Sequence, residues 1–147
     1  MKICIVSSSG GHLTEVNMFE KFFKKYSYYY VLNYKIDLSA DMKERTYFIS
    51  HSERDIKFIF NLYEAYKILS KNIPDVIFST GAGPAVPFAL VGRFFFGCHV
   101  IFIETLTAVE KPSLTGRLMY YLSNEFYYQW ASLVKYYPRG IYGGPLI

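Results

Sequence analysis

A chain of 147 residues carrying a net charge of +4 can bury one full core, and it lacks the basic blocks of a nucleic-acid binder. Hydrophobic residues make up 52% and aromatic residues 20% of it, so some of its fifteen tyrosines and thirteen phenylalanines are expected on a partner or membrane surface. Its two cysteines, Cys4 and Cys98, fall in apolar strands without metal-ligand spacing; no metal site is expected, and a reduced, cytosolic setting is.

The apolar run from Lys2 to Val6 predicts a first strand. Ser7-Ser8-Ser9-Gly10-Gly11-His12 follows, and then a helix from about Leu13 to Lys25 with a stripe of Leu13, Val16, Phe19, Phe22 and Phe23. Strand, small-residue turn and helix open a Rossmann-like unit, whose helix start leaves N–H groups free to meet an anion or a polar ligand edge. The spacing is not G-x-G-x-x-G, so no dinucleotide cofactor is expected. His12 stands at this mouth, either to take a proton near neutral pH or only to bond the backbone at a helix start. Lys21, Lys24 and Lys25 crowd the helix end as a solvated face complementing the macrodipole, or as contacts to lipid phosphate beside Phe22 and Phe23.

Tyr28 to Leu32 reads as a second strand, Asn33 to Arg45 as a loop with a short helical piece, and Tyr47 to Ile49 as a third strand. Ser52 or Asp55 can cap the next helix, whose expected inward face is Ile56, Ile59, Phe60, Tyr63, Tyr66 and Leu69. Asn72-Ile73-Pro74 stops it before a buried parallel strand, Val76-Ile77-Phe78. Ser79-Thr80-Gly81-Ala82-Gly83-Pro84 is a second glycine-rich turn, opening a helix from Pro84 to about Gly97 that tolerates Pro87 in its first turn. Val100 to Ile103 forms a fifth strand ending in Glu104, a carboxylate that either meets a ligand or pairs with Arg117 or Lys111. The first strand begins at residue 2, leaving no signal peptide, and no apolar run reaches the ~18–20 residues of a membrane span.

The expected fold is α/β, a Rossmann-like doubly wound parallel sheet with helices on both faces, in one domain over residues 1–147. In such a sheet the ends of strands one, four and five share a rim, so His12, the Gly81–Gly83 turn and Glu104 would line one crevice.

Glu104-Thr105, Pro112-Ser113-Leu114-Thr115-Gly116-Arg117, Gln129-Trp130, Tyr137-Pro138 and Tyr142-Gly143-Gly144 follow in sequence. Together with S-G-G-H-L-T-E at the start, this pattern resembles the membrane-associated subunit of split GT-B glycosyltransferases. Eukaryotic relatives act with a catalytic partner in adding the second N-acetylglucosamine to dolichol-linked oligosaccharide. Bacterial relatives of the PssD and CpsF type serve capsule or exopolysaccharide assembly, and the MurG N-terminal half is related. The resemblance covers nearly the whole chain, is weakest over Asn33 to Leu69, and favours the bacterial branch because no eukaryote-type anchor precedes the first strand.

The resemblance implies an N-terminal, acceptor-side half of a GT-B enzyme. Its partner chain holds the UDP-sugar, and the acceptor is a lipid-pyrophosphate-linked saccharide at the cytoplasmic face of the membrane, bound peripherally and without a cofactor. It implies His12 and Glu104 as catalytic candidates, one accepting the hydroxyl proton directly and Glu104 alternatively orienting His12. Ser9, Gly10, Gly11, Thr80, Gly81, Gly83 and Arg117 would bind the acceptor, the turn N–H groups taking its pyrophosphate. Trp130, Tyr142, Leu146 and Ile147 would meet the partner. A non-catalytic scaffold that recruits and activates that partner, with His12 only structural, is the alternative.

Overall fold

The structure, a computed structural model, describes residues 1–33, 37–50 and 56–147. Alternating apolar runs form β1 (Lys2–Ser7), β2 (Ser27–Leu32), β3 (Thr46–Phe48), β4 (Val76–Ser79), β5 (His99–Ile103), β6 (Glu125–Tyr128) and β7 (Ile141–Tyr142). Among the described residues they make one seven-stranded sheet in the order β3-β2-β1-β4-β5-β6-β7, with every pairing parallel. Parallel neighbours need crossovers, and α1 (Gly11–Asn17), α2 (Glu20–Phe23), α3 (Ala40–Glu44), α4 (Ile56–Lys71), α5 (Ala85–Phe96) and α6 (Leu114–Leu122) supply them. The result is the doubly wound Rossmann-like fold that the sequence predicts.

Period-two alternation splits the core. Cys4 and Val6 of β1, Tyr29 and Val31 of β2, and Phe102 and Phe126 face the layer built with α4, α5 and α6. Ile3, Ile5, Tyr28, Tyr30 and Leu32 face the opposite layer, where Leu13, Val16 and Phe23 cover them. That second layer is incomplete over β4, β5 and β6. An apolar groove of about 600 Å3 lies there, with Val76, Phe78, Ile101 and Ile103 among its lining, Phe19 and Phe22 on one side and Leu146 on another.

Two expected elements differ. The first helix breaks at Met18 and Phe19, where bonds from Met18 N–H to the Glu15 carbonyl (3.2 Å) and from Phe19 N–H to the Val16 carbonyl (3.0 Å) tighten the last turn. The break seats Phe19 and Phe23 each 5.2 Å from the Phe78 ring, while Phe22 stays half exposed. The expected inward face of α4 is the larger correction. Ile59, Phe60, Tyr63 and Tyr66 are exposed and Leu69 is fully buried, while the Ile56 side chain lies outside the described residues. The buried line is Asn61, Ala65 and Leu69, backed by Phe58, Leu62 and Ile68. α4 packs along α5, and the small Ala65 lets the two helices approach where tyrosines would hold them apart. The expected caps Ser52 and Asp55 lie outside the described residues.

Candidate functional site

The strand order reverses between β1 and β4, and the loops leaving these two strands go to opposite faces of the sheet. Such a switch point opens a crevice at the carboxyl ends of the strands. On the β1 side the chain turns through Gly10 at φ +131°, a region that L side chains avoid, and enters α1. The Ser9 N–H donates to Asn33 Oδ1 at 3.2 Å, tying the turn to the end of β2.

On the β4 side, one hydroxyl folds the turn. Ser79 Oγ donates to the Gly81 carbonyl (2.9 Å) and accepts the Gly81 N–H (3.2 Å). Thr80 Oγ1 donates to the His12 carbonyl at 3.0 Å, joining the two loops. Gly81, at φ +138°, lies directly against the imidazole: a Cβ there would come within 2.4 Å of His12 Cε1 and 2.5 Å of Nδ1. Ala82 follows at φ +83°, and α5 begins with Pro84 as its N-cap. Gly81 is therefore glycine for two reasons, its dihedral and its contact with His12. His12 Nδ1 is buried and has no hydrogen-bond partner among the described residues. Gly11 and Gly83 are exposed at the mouth.

Glu104, at the end of β5, is fully buried. Its Oε1 accepts from the Thr105 N–H (3.1 Å) and the Ser113 hydroxyl (2.6 Å), and its Oε2 from the Ser113 N–H (3.2 Å) and the Tyr137 hydroxyl (2.5 Å). Ser113 Oγ in turn accepts the Gly116 N–H at 2.8 Å, capping α6. A Cβ on Gly116 would meet Glu104 Oε2 at 1.9 Å, so the helix start closes over the carboxylate. Burial, then the bond to Glu104, pushes the Tyr137 phenol well above its ordinary range. None of the bonds of Glu104 reaches His12, and among the described residues it pairs with neither Lys111 nor Arg117, both of which are exposed.

The residues expected at a partner surface separate. Trp130 is half buried against the core and donates its indole N–H to the Leu106 carbonyl at 2.7 Å, so it braces the loop after β5 from within. Tyr142 is half exposed and Ile147 is 83% exposed, while Leu146 lines the groove. Sequence reasoning passed over two buried polar residues, Glu15 and Gln129, although both stand in quoted blocks, S-G-G-H-L-T-E and Gln129-Trp130.

A family model described as "Oligosaccharide biosynthesis protein Alg14 like" matches residues 42–146. The chain belongs to the Alg14-like family. The match runs from before β3 to the tail, leaving β1 and His12 outside it. Curated Alg14 relatives carry the name UDP-N-acetylglucosamine transferase subunit. The one from Rattus norvegicus is 25% identical over 95 residues, 60% of this chain and 44% of its own length. The one from Candida albicans is 38% identical over 92 residues, 58% of this chain and 41% of its own length. This Alg14-like chain thus matches less than half the length of those relatives. In fold it is similar to MurG of Acinetobacter baumannii, with a TM-score of 0.69 at 13% identity over 89% of this chain and 42% of that one. The UDP-GlcNAc 2-epimerase of Methanocaldococcus jannaschii has a TM-score of 0.72 at 16% identity, over 95% of this chain and 42% of that one. Both likenesses show the same Rossmann-like fold, within less than half of each longer chain.

Proposed function

We propose that this chain is the acceptor-side subunit of a two-chain glycosyltransferase that moves a sugar from a UDP-sugar to a lipid-pyrophosphate-linked saccharide, in capsule or exopolysaccharide assembly. The observation that carries the reading is the seating of His12 on Gly81 at the switch point, with a buried ring nitrogen that has no partner among the described residues. A buried polar atom without a partner is costly, and a substrate hydroxyl or amide can satisfy it. Family membership and the names of the relatives support the reaction class. In the step itself the acceptor hydroxyl loses its proton as its oxygen attacks the anomeric carbon and UDP leaves. His12 accepts that proton. The Gly81 N–H donates to Ser79 Oγ, so in this reading the exposed Gly83 N–H, at the start of the twelve-residue α5, faces the pyrophosphate. Glu104 does not exchange protons with substrate; it positions the start of α6, from which Arg117 reaches outward.

The partner chain holds the UDP-sugar and meets this subunit at the groove bordered by Leu146 and at Tyr142 and Ile147. Attachment to the membrane is peripheral, at the cytoplasmic face. Ile59, Phe60, Tyr63 and Tyr66 of α4 and Phe94 and Phe95 of α5 are all exposed, and Tyr66 contacts Phe95 at 6.1 Å. Arg93 beside Phe94, and Lys67 and Lys71 on α4, flank this aromatic face with cations suited to lipid headgroups. No helix among the described residues is long and apolar enough to cross a membrane.

The test is reconstitution of the chain with its donor-binding partner on a lipid-pyrophosphate saccharide. His12→Ala is expected to lower turnover by roughly 100-fold or more with the complex intact, the usual effect of losing a general base. Full turnover would favour the scaffold reading, which draws support from a family match confined to residues 42–146, beyond His12.

A further inference from the structure

Glu15 is a carboxylate only 7% exposed, and the proposed chemistry makes no use of it. Its Oε1 accepts the Thr105 hydroxyl at 2.8 Å, and its Oε2 accepts the Leu106 N–H at 3.1 Å and Gln129 Nε2 at 3.2 Å. Gln129 is buried too; its Nε2 also donates to the Glu104 carbonyl at 2.9 Å, and its Oε1 accepts the Leu146 N–H at 2.8 Å. Two acceptors on one side and an N–H on the other leave this amide a single orientation. A continuous line of hydrogen bonds therefore runs from the C-terminal segment through Gln129 to Glu15.

Glu15 lies one turn along α1 from His12. α1 has seven residues, and its N-cap, Gly10, makes no side-chain cap bond. A helix that short has no stability of its own, so its place is set by what it touches. Leu13 and Val16 hold it through the apolar core, the Thr80 hydroxyl holds the His12 carbonyl, and Glu15 anchors the next turn through three hydrogen bonds. Both oxygens of the anchor go to groups just past the ends of β5 and β6, on the same side of the switch point as the Gly81 turn, so Glu15 ties α1 across the crevice.

We propose that Glu15 is a positioning residue for His12 and that Gln129 makes this position depend on the seating of the C-terminal segment at Leu146. A partner that binds the segment then fixes the imidazole against Gly81, coupling assembly to readiness for catalysis. The proposal rests on the reading above, in which His12 meets the acceptor and the tail meets the partner. A carboxylate is needed at position 15 because it accepts three hydrogen bonds there and donates none. An amide is needed at 129 because a carboxylate would turn an acceptor toward Glu15 and the Glu104 carbonyl.

The experiment uses the full chain alone, with histidine labelled for NMR and the His12 Cε1–H signal assigned by its loss in His12→Ala. Glu15→Gln, Gln129→Met and deletion of Leu146 and Ile147 are each expected to move that signal by more than its linewidth. In the double variant, the deletion is expected to add nothing to the shift caused by Gln129→Met, because the Leu146 bond reaches Glu15 only through Gln129. An unmoved His12 signal in the deletion or in Gln129→Met overturns the link to the tail, as do additive shifts in the double variant. An unmoved signal in Glu15→Gln overturns the positioning role. The deletion removes one N–H bond and a highly exposed residue, so it reads the coupling even where a core substitution unfolds the chain. No donor, acceptor or partner is present, so failure here is distinct from full turnover by His12→Ala.

Discussion

At the scale of single residues, Glu104 and His12 part company. Glu104 ends an apolar strand, and its fully buried carboxylate accepts four hydrogen bonds, so the electrostatic cost of its burial is met inside the chain. Glu104→Gln puts an amide NH2 where the carboxylate accepted from Ser113 or Tyr137, leaving a buried donor facing donors. The expected outcome is a stability loss of about 1–3 kcal/mol, read as a lower Tm, with activity falling only in proportion to the folded fraction. Unchanged Tm with a large loss of kcat would return Glu104 to the reacting atoms. The place of His12 was legible because Gly10 and Gly11 precede it directly and each of the two loops carries its own run of small residues. The bracing of Glu104 was not, since its closest bond comes from Tyr137, 33 positions further on, and spacing along a chain does not report contacts over that distance.

At the scale of elements, strands were the easier half. Period-two alternation on β1, β2, β5 and β6 sorts their side chains between two layers with little ambiguity. α4 was harder because it is apolar on two faces: the stripe of Ile59, Tyr63 and Tyr66 and the stripe of Phe58, Leu62, Ala65 and Leu69 both recur at helical spacing. Packing against α5 chose the line containing Ala65. The aromatic stripe left outside is what the membrane reading uses. Replacing Tyr63, Phe94 and Phe95 together by serine is expected to leave Tm nearly unchanged, as exposed positions usually do within ~0.5 kcal/mol each. Flotation with anionic liposomes should fall sharply for that variant and, for the parent, weaken at high salt. Equal flotation of both proteins would move the membrane contact elsewhere.

The start of β6 carries a pH-dependent contact. The Tyr127 hydroxyl donates to Glu125 Oε2 at 2.7 Å and His99 Nε2 meets Oε1 at 2.8 Å. The Tyr127 bond first, then His99, holds the Glu125 carboxyl below its ordinary range, and the same bond raises the Tyr127 phenol. A lowered carboxyl contributes stability above its unfolded pKa of about 4.3 and loses it as pH falls through the folded value. The raised phenol contributes below its unfolded pKa of about 10 and loses that contribution as pH climbs through the folded value. Both side chains are partly exposed, so the contribution is small, under about 1 kcal/mol. Tyr127→Phe should therefore lower Tm slightly at pH 7, with the difference from the parent closing below about pH 4. An equal difference at both pH values would mean that ring packing, and not the charged hydrogen bond, accounts for the loss.

For the molecule as a whole, the proposed contact with a partner subunit turns on the C-terminal segment. The resemblance implies a partner contact at Tyr142, Leu146 and Ile147, and the structure divides this segment in two. β7 pairs with β6, and the Gly143 N–H donates to the Tyr128 carbonyl at 3.0 Å, so this stretch belongs to the chain's own sheet. Beyond it Leu146 borders the groove over β4 to β6, and Ile147 is 83% exposed. Deleting only Leu146 and Ile147 spares the β7 pairing and tests the outer part. Burial of one aliphatic side chain is worth about 1.5–3 kcal/mol, so association with the partner subunit should weaken at least tenfold. Co-purification and a measured Kd read the effect, with the Tm of the isolated chain as control. A small change in Tm with the expected loss of association places Leu146 and Ile147 in the contact. Intact association places it on other surfaces, and a collapsed Tm assigns the segment to the fold of this chain alone.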